Sequence, residues 1–370
     1  MNLEWIDKID YKQFIMPCKI KSDNEYLPKL KQVLGCLTRE LRYHGLDNKI
    51  VSEIEKCANS IILSVELYYQ GNIVDAQSTI IDIINSFEDK SPAITNVNNS
   101  IAFPQSLDSN NYEVQFFRAR LNEAVVDFSA DEMLHIPFNK REIVKSERFS
   151  IPGLPCLYLG NSSYVCWIEM GSPAEHKFNV SPVVLDNTQK VFNLTVSIRD
   201  LYSIKEKENE VGNNEELEEY TINLLKLLVL AISTSFTVPN SNRNFKSEYI
   251  VSQMIMLACK NRNIDGITYY SKRVSDELFA SVVGINLVLF ATYNGEDELS
   301  NICKHISVGD SFNFSMFKQL LPSLLCKEYD LCIDKSPYIK NIGSFKRQFP
   351  YNETQFYYFD KYLFANWDRN

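Results

Sequence analysis

Cys156-Leu157-Tyr158-Leu159-Gly160-Asn161-Ser162-Ser163-Tyr164-Val165-Cys166-Trp167-Ile168-Glu169 changes character partway along. The first four residues read as a β-strand, and Gly160-Asn161 turns the chain. Ser162 or Ser163 then caps a helix that carries Cys166, Trp167 and Glu169. A strand passed directly into a helix, with a tyrosine on one and a carboxylate on the other, predicts an α+β arrangement in which Tyr158 and Glu169 lie on adjacent elements.

The sequence around this step alternates in the same way. Tyr112-Glu113-Val114-Gln115-Phe116-Phe117-Arg118 reads as a strand, and Ile285-Asn286-Leu287-Val288-Leu289-Phe290 as a buried one. Ser181-Pro182 punctuates the chain ahead of Val183-Val184-Leu185 and Lys190-Val191-Phe192-Asn193-Leu194. Helices are expected near 163–171, 216–236 and 247–262. The run from Leu224 to Ile232 is too short to span a bilayer and carries Lys226, so it reads as a buried helix.

Towards the N-terminus the spacing becomes helical. Leu27, Leu30, Leu34, Leu37 and Leu41 share one helix face; Ile50, Ile54, Cys57, Ile61, Val65 and Tyr68 share a second. Gly71-Asn72 breaks the pattern before Ile73, Ala76, Ile80, Ile84 and Phe87 form a third. The expected organisation is an all-helical N-terminal domain over 1–90, a Ser-, Asn- and Pro-rich linker over 91–111, and an α+β domain over 112–370. That last domain carries an insertion around 171–245 and an extension after about 295. The polar run Lys205–Glu216 reads as a solvated loop leading into a helix.

Composition narrows the function classes. The chain has 370 residues, a formal charge of −9, and 45% hydrophobic and 23% charged residues, as expected of a globular protein. The acidic balance argues against non-specific nucleic-acid binding, which depends on clustered Lys and Arg. The start, Met1-Asn2-Leu3-Glu4-Trp5, lacks the basic and small-residue features of a leader. Nine scattered cysteines without a Cys-x-x-Cys pair predict reduced thiols and a cytoplasmic location, with no zinc site. His44, His135, His176 and His305 are dispersed and suggest no local triad. No phosphate-binding P-loop, dinucleotide glycine motif, His-Glu-x-x-His or Gly-x-Ser-x-Gly is present.

Five segments taken together carry a resemblance: Phe117-Arg118-Ala119-Arg120, Glu147-Arg148-Phe149-Ser150-Ile151-Pro152-Gly153, Leu157-Tyr158-Leu159-Gly160, Cys166-Trp167-Ile168-Glu169, and Asp265-Gly266-Ile267-Thr268-Tyr269-Tyr270-Ser271. In order and spacing, over about 112–295, they resemble the RES domain family, named for its Arg, Glu and Ser. The resemblance implies a fold like that of ADP-ribosyltransferases and an enzyme that breaks down NAD. It implies that Glu169, Arg118 and Ser271 are catalytic and that Arg118, Arg120, Arg148, Tyr158 and Ser271 bind the substrate. Guanidinium forks match pyrophosphate oxygens, and Arg120, two residues from Arg118, shares its strand face. Nicotinamide leaves as a neutral ring, so a carboxylate that stabilises the oxocarbenium-like ribosyl centre suffices without a general acid. Tyr158 is suited to stacking on nicotinamide, and Ser271 to orienting ribose or amide.

NAD therefore enters as substrate, with no bound cofactor and no metal expected. The acceptor is open among inorganic phosphate (NAD phosphorylase), water (NAD glycohydrolase) and a macromolecule (ADP-ribosyltransferase). The resemblance implies a toxin with an antitoxin or regulatory protein partner; the added N-terminal helices allow instead an anti-phage defence effector that they hold inactive. The lack of a run of 18 or more apolar residues predicts no membrane partner, and a homo-oligomer stays open. A non-catalytic nucleotide-sensing interaction protein is the alternative. The chain departs from the family in its N-terminal helices, in the long separation of Glu169 from Ser271, and in Ser146-Glu147-Arg148-Phe149 replacing Gly-Gly-Arg-Trp.

Overall fold

The computed structural model describes residues 3–99, 102, 114–124, 127–186, 188–210, 213–240, 243–274, 283–324, 338–340 and 348–367. Residues 112 and 113 of the expected first strand, most of the linker from 100 onward, and 211–212 of the polar run lie outside them. The chain forms two compact units: Met1–Thr95 with Glu147–Ser150 and Phe192–Ile264, and Asn96–Ser146 with Ile151–Val191 and Asp265–Asn370. This division departs from the expected boundaries. Residues 192–264 join the N-terminal helices, whereas 171–191 and the C-terminal extension belong to the second unit.

The first unit is built on amphipathic helices, whose buried stripes supply most of their stability. Tyr26–Tyr43, Asn48–Tyr69 and Ile73–Asn85 follow the three expected faces and bury Leu30, Leu34, Leu37, Ile54, Ile61, Ile80 and Ile84. The middle helix also packs against Asn214–Thr234, and the third against Ile250–Asn261. Polar ties cross these contacts, including Gln77 Nε2 donating to Met254 O at 3.0 Å and Tyr26 OH to Ser233 O at 2.9 Å. The polar run is more helical than expected: Ser203–Glu210 is a helix, and Asn213 Oδ1 accepts from Glu215 N–H at 2.6 Å to cap the next one.

In the second unit the strands lie in the order Ile306–Val308, Phe178–Leu185, Gln115–Leu121, Cys156–Gly160, Ile285–Phe290, Gly266–Tyr270, all antiparallel. Phe312–Asn313 also pairs with Phe178–Leu185. The Ser181-Pro182 punctuation falls inside Phe178–Leu185, which is buried along its whole length and pairs with seven residues of 115–121. Pro182 has no N–H to offer, but its carbonyl accepts from Gly309 N–H at 2.9 Å. One face of the sheet buries Phe116, Leu157, Leu159, Leu287 and Leu289. Phe117, Ala119 and the helix Ser163–Glu169 belong to a second core with Phe314, Phe317, Phe356 and Phe359 from the C-terminal extension. The domain is thus mixed α+β.

Candidate active site

The strand–turn–helix step forms at Cys156–Gly160 and Ser163–Glu169. Asn161 locks the turn, its N–H donating to Ile285 O at 3.0 Å and its Oδ1 accepting from Ile285 N–H at 3.1 Å. Ser162 is the cap: Oγ accepts from Val165 N–H at 3.1 Å and donates to Val283 O at 2.7 Å. A second oxygen arrives from far along the chain, Asp360 Oδ1 accepting from Ser163 N–H at 3.0 Å. Acidic groups at this end suit the helix dipole.

Glu169 ends the helix with about a third of its side chain exposed. Its Oε1 accepts from Asn286 Nδ2 at 2.9 Å, and Arg273 Nε stands 3.5 Å from Oε2. Asn286 pairs with Gly160 in the sheet register and therefore shares the face of Tyr158, two residues before Gly160. Ser271 is buried; its N–H donates to Gly284 O at 2.9 Å and its Oγ accepts from Arg273 N–H at 3.2 Å. Arg273 thereby links Ser271 to Glu169. The serine's own hydroxyl proton has no acceptor among the described residues.

Arg118 and Arg120 occupy a different part of the unit. Strands 115–121 and 156–160 share a single residue pair, Phe117 with Gly160. Arg118 reaches past that pair, Nη1 donating to Tyr158 O at 2.9 Å and Nε to Met133 O at 3.3 Å. Arg120 Nη2 donates to the next carbonyl, Leu134 O, at 3.1 Å. Burial and then the like charge of Arg120 lower the Arg118 guanidinium to about 10, and burial lowers Arg120. Among the described residues neither forms an ion pair, and two of Arg118's five N–H donors are committed. His135 pins the adjoining segment: its Nε2 accepts from Ser300 N–H at 3.0 Å, so Nδ1 carries the proton donated to Ile136 O at 2.8 Å. Both nitrogens are engaged in holding the fold.

No described hydrogen bond joins Arg118 to Glu169. They share one neighbour: the Cys166 thiol, pushed up to about 12 mainly by burial, is lowered by Arg118 and raised by Glu169. Cys166 lies against the first strand, Sγ donating to Phe117 O at 3.4 Å. Tyr158 is half-buried between Leu157 and Leu159, which face the other way. Arg148 belongs to the first unit, buried with Nη2 donating to Thr234 Oγ1 at 3.2 Å and its guanidinium 5.1 Å from the Phe149 ring centre. Gln253 Nε2 fixes that turn by donating to the Glu147 and Ser150 carbonyls, both at 3.1 Å. Sequence reasoning missed Asn286 and Arg273. The one available signal was an asparagine inside the otherwise apolar strand 285–290.

No family model matches the chain. Over 235 residues, 62% of its length, the chain is 31% identical to the putative toxin YopC of Bacillus subtilis (strain 168). The aligned part is 51% of that protein, so the chain spans about half the length of the curated relative it matches. Among solved structures, the M. tuberculosis MbcT-MbcA toxin-antitoxin complex is similar at a TM-score of 0.30 and 12% identity, covering 65% of this chain and 96% of that one. That likeness is too distant to carry an argument about the site. No described helix is long and apolar enough to cross a membrane.

Proposed function

We propose that the protein is a toxin-type enzyme that consumes NAD by cleaving its nicotinamide–ribose bond. The observation that carries this reading is the Glu169 carboxylate, held at Oε1 by Asn286, with Arg273 facing Oε2 and its backbone N–H on Ser271. A fixed, partly exposed carboxylate is what an oxocarbenium-like ribosyl centre requires. Support also comes from Arg118 and Arg120, two partly buried cations with uncommitted donors, suited to a pyrophosphate. Identity to a putative toxin supports the toxin class. In this reading Tyr158 stacks on nicotinamide and Ser271 donates its hydroxyl proton to substrate. The RES resemblance adds an antitoxin or regulatory protein as partner.

The test is nicotinamide release from NAD by the purified protein, with and without inorganic phosphate, beside Glu169→Ala. Release is expected from the wild type and lost in the variant. Dependence on phosphate identifies phosphorolysis, and release without it hydrolysis. Equal release by both proteins, or none by the wild type, overturns the reading.

A further inference from the structure

The two oxygens of Glu169 have unlike neighbours. Oε1 accepts from Asn286, a buried side chain in a strand whose other residues, Ile285, Leu287, Val288, Leu289 and Phe290, are apolar. Burial costs the amide its water, and Glu169 is the only described partner of that side chain. The geometry depends on Gly160, the register partner of Asn286: a Cβ there would stand 2.5 Å from Val165 Cγ1, so its absence lets the helix approach close enough for Glu169 to reach the asparagine. Oε2 faces Arg273 across 3.5 Å, beyond the usual N–H···O range, and half of the arginine side chain is exposed. Exposed pairs of this kind are weak and readily exchanged.

We propose that Asn286 is a positioning residue that fixes Oε1 and leaves Oε2 as the working atom, with Arg273 as a counter-ion that Oε2 releases when the cationic nicotinamide–ribose end of NAD binds. This rests on the NAD-cleaving reading above. The asparagine amide is neutral and internal, so it holds the carboxylate without cancelling its charge. Arg273 does cancel that charge, and it competes with a substrate that is itself positive at the reacting end. Reduced NADH, with a neutral ring, displaces it poorly.

The experiment compares wild type, Asn286→Leu and Arg273→Gln for nicotinamide release from NAD and for calorimetric binding of NAD and NADH, with Glu169→Ala as reference. Leucine is close to asparagine in shape and suits an apolar strand, and thermal melting checks that the fold persists. Losing a hydrogen bond to a charged group predicts a fall in kcat of roughly tenfold to a hundredfold in Asn286→Leu, with KM for NAD moving by less than about threefold. Arg273→Gln is expected to lower KM and to tighten NAD binding relative to NADH by about twofold to fivefold. A folded Asn286→Leu with wild-type kcat overturns the positioning role. A raised KM and weaker NAD binding in Arg273→Gln overturn the counter-ion role and make the arginine a substrate ligand. If the wild type binds NAD without cleaving it, the reaction reading falls and the binding comparison alone decides the counter-ion. A protein that does neither overturns both.

Discussion

Gly160 shows how much a single residue contributes to this site. It has an ordinary backbone conformation, and what excludes a side chain is space: a Cβ would lie 2.5 Å from Val165 Cγ1 and 2.8 Å from Cys166 Sγ, both on buried residues of the following helix. Gly160→Ala is therefore expected to push the helix off the sheet and cost about 1–3 kcal/mol, the usual range for overpacking. Urea denaturation measures that cost; under the proposed NAD-cleaving function, nicotinamide release should fall further than stability alone explains, because Glu169 moves with the helix. The sequence made Gly160 legible as a turn residue and Glu169 as the helix carboxylate. It could not reveal that Asn286, 117 positions away, is what Glu169 touches, since nothing local relates a strand asparagine to a distant glutamate.

At the scale of the element, the helix Ser163–Glu169 is too short to stand on its own hydrogen bonds. Its near cap, Ser162, is readable from sequence; its second, Asp360, comes from the C-terminal helix Gln355–Ala365 and is not. Asp360 is buried, with Oδ1 on Ser163 N–H and Oδ2 accepting from Tyr351 OH at 2.7 Å. Phe356 of the same helix packs on Tyr164 and Trp167. Asp360→Ala takes the acceptor from two buried donors, each of which costs about 1–3 kcal/mol when left unmade. Asp360→Asn keeps an oxygen for Ser163 and should lose less. The order of denaturation midpoints, wild type above Asn above Ala, checks this. Equal midpoints for Asn and Ala would show that the oxygen on Ser163 is not what matters. The extension after residue 295 thus belongs to the framework of the site, although the family resemblance ends before it.

At the scale of the whole molecule, the N-terminal helices were legible because each buries a stripe at three- and four-residue spacing, visible in the sequence alone. Which helices complete them was not, because Asn214–Thr234 and Ile250–Asn261 return to residues 48–85 from more than a hundred positions away, and the chain visits the second unit in between. Charge and hydrogen-bonding patterns match that assembly: Lys49 pairs with Glu218 at 2.5 Å, and Ser64 Oγ donates to Met254 Sδ at 3.1 Å. The three N-terminal helices are therefore one part of a larger helical unit. A fragment of residues 1–95 leaves exposed the faces of 48–69 and 73–85 that the two later helices cover, and a helical stripe without its partner surface is only marginally stable in water. Residues 1–95 alone are expected to show reduced helicity by circular dichroism and no cooperative thermal transition. A single chain joining 1–95 to 192–264 through a flexible linker should recover both, because it restores the covering helices without the sheet. A sharp transition in the short fragment would mean that the three helices form a domain by themselves, with the later pair docking on a surface already stable.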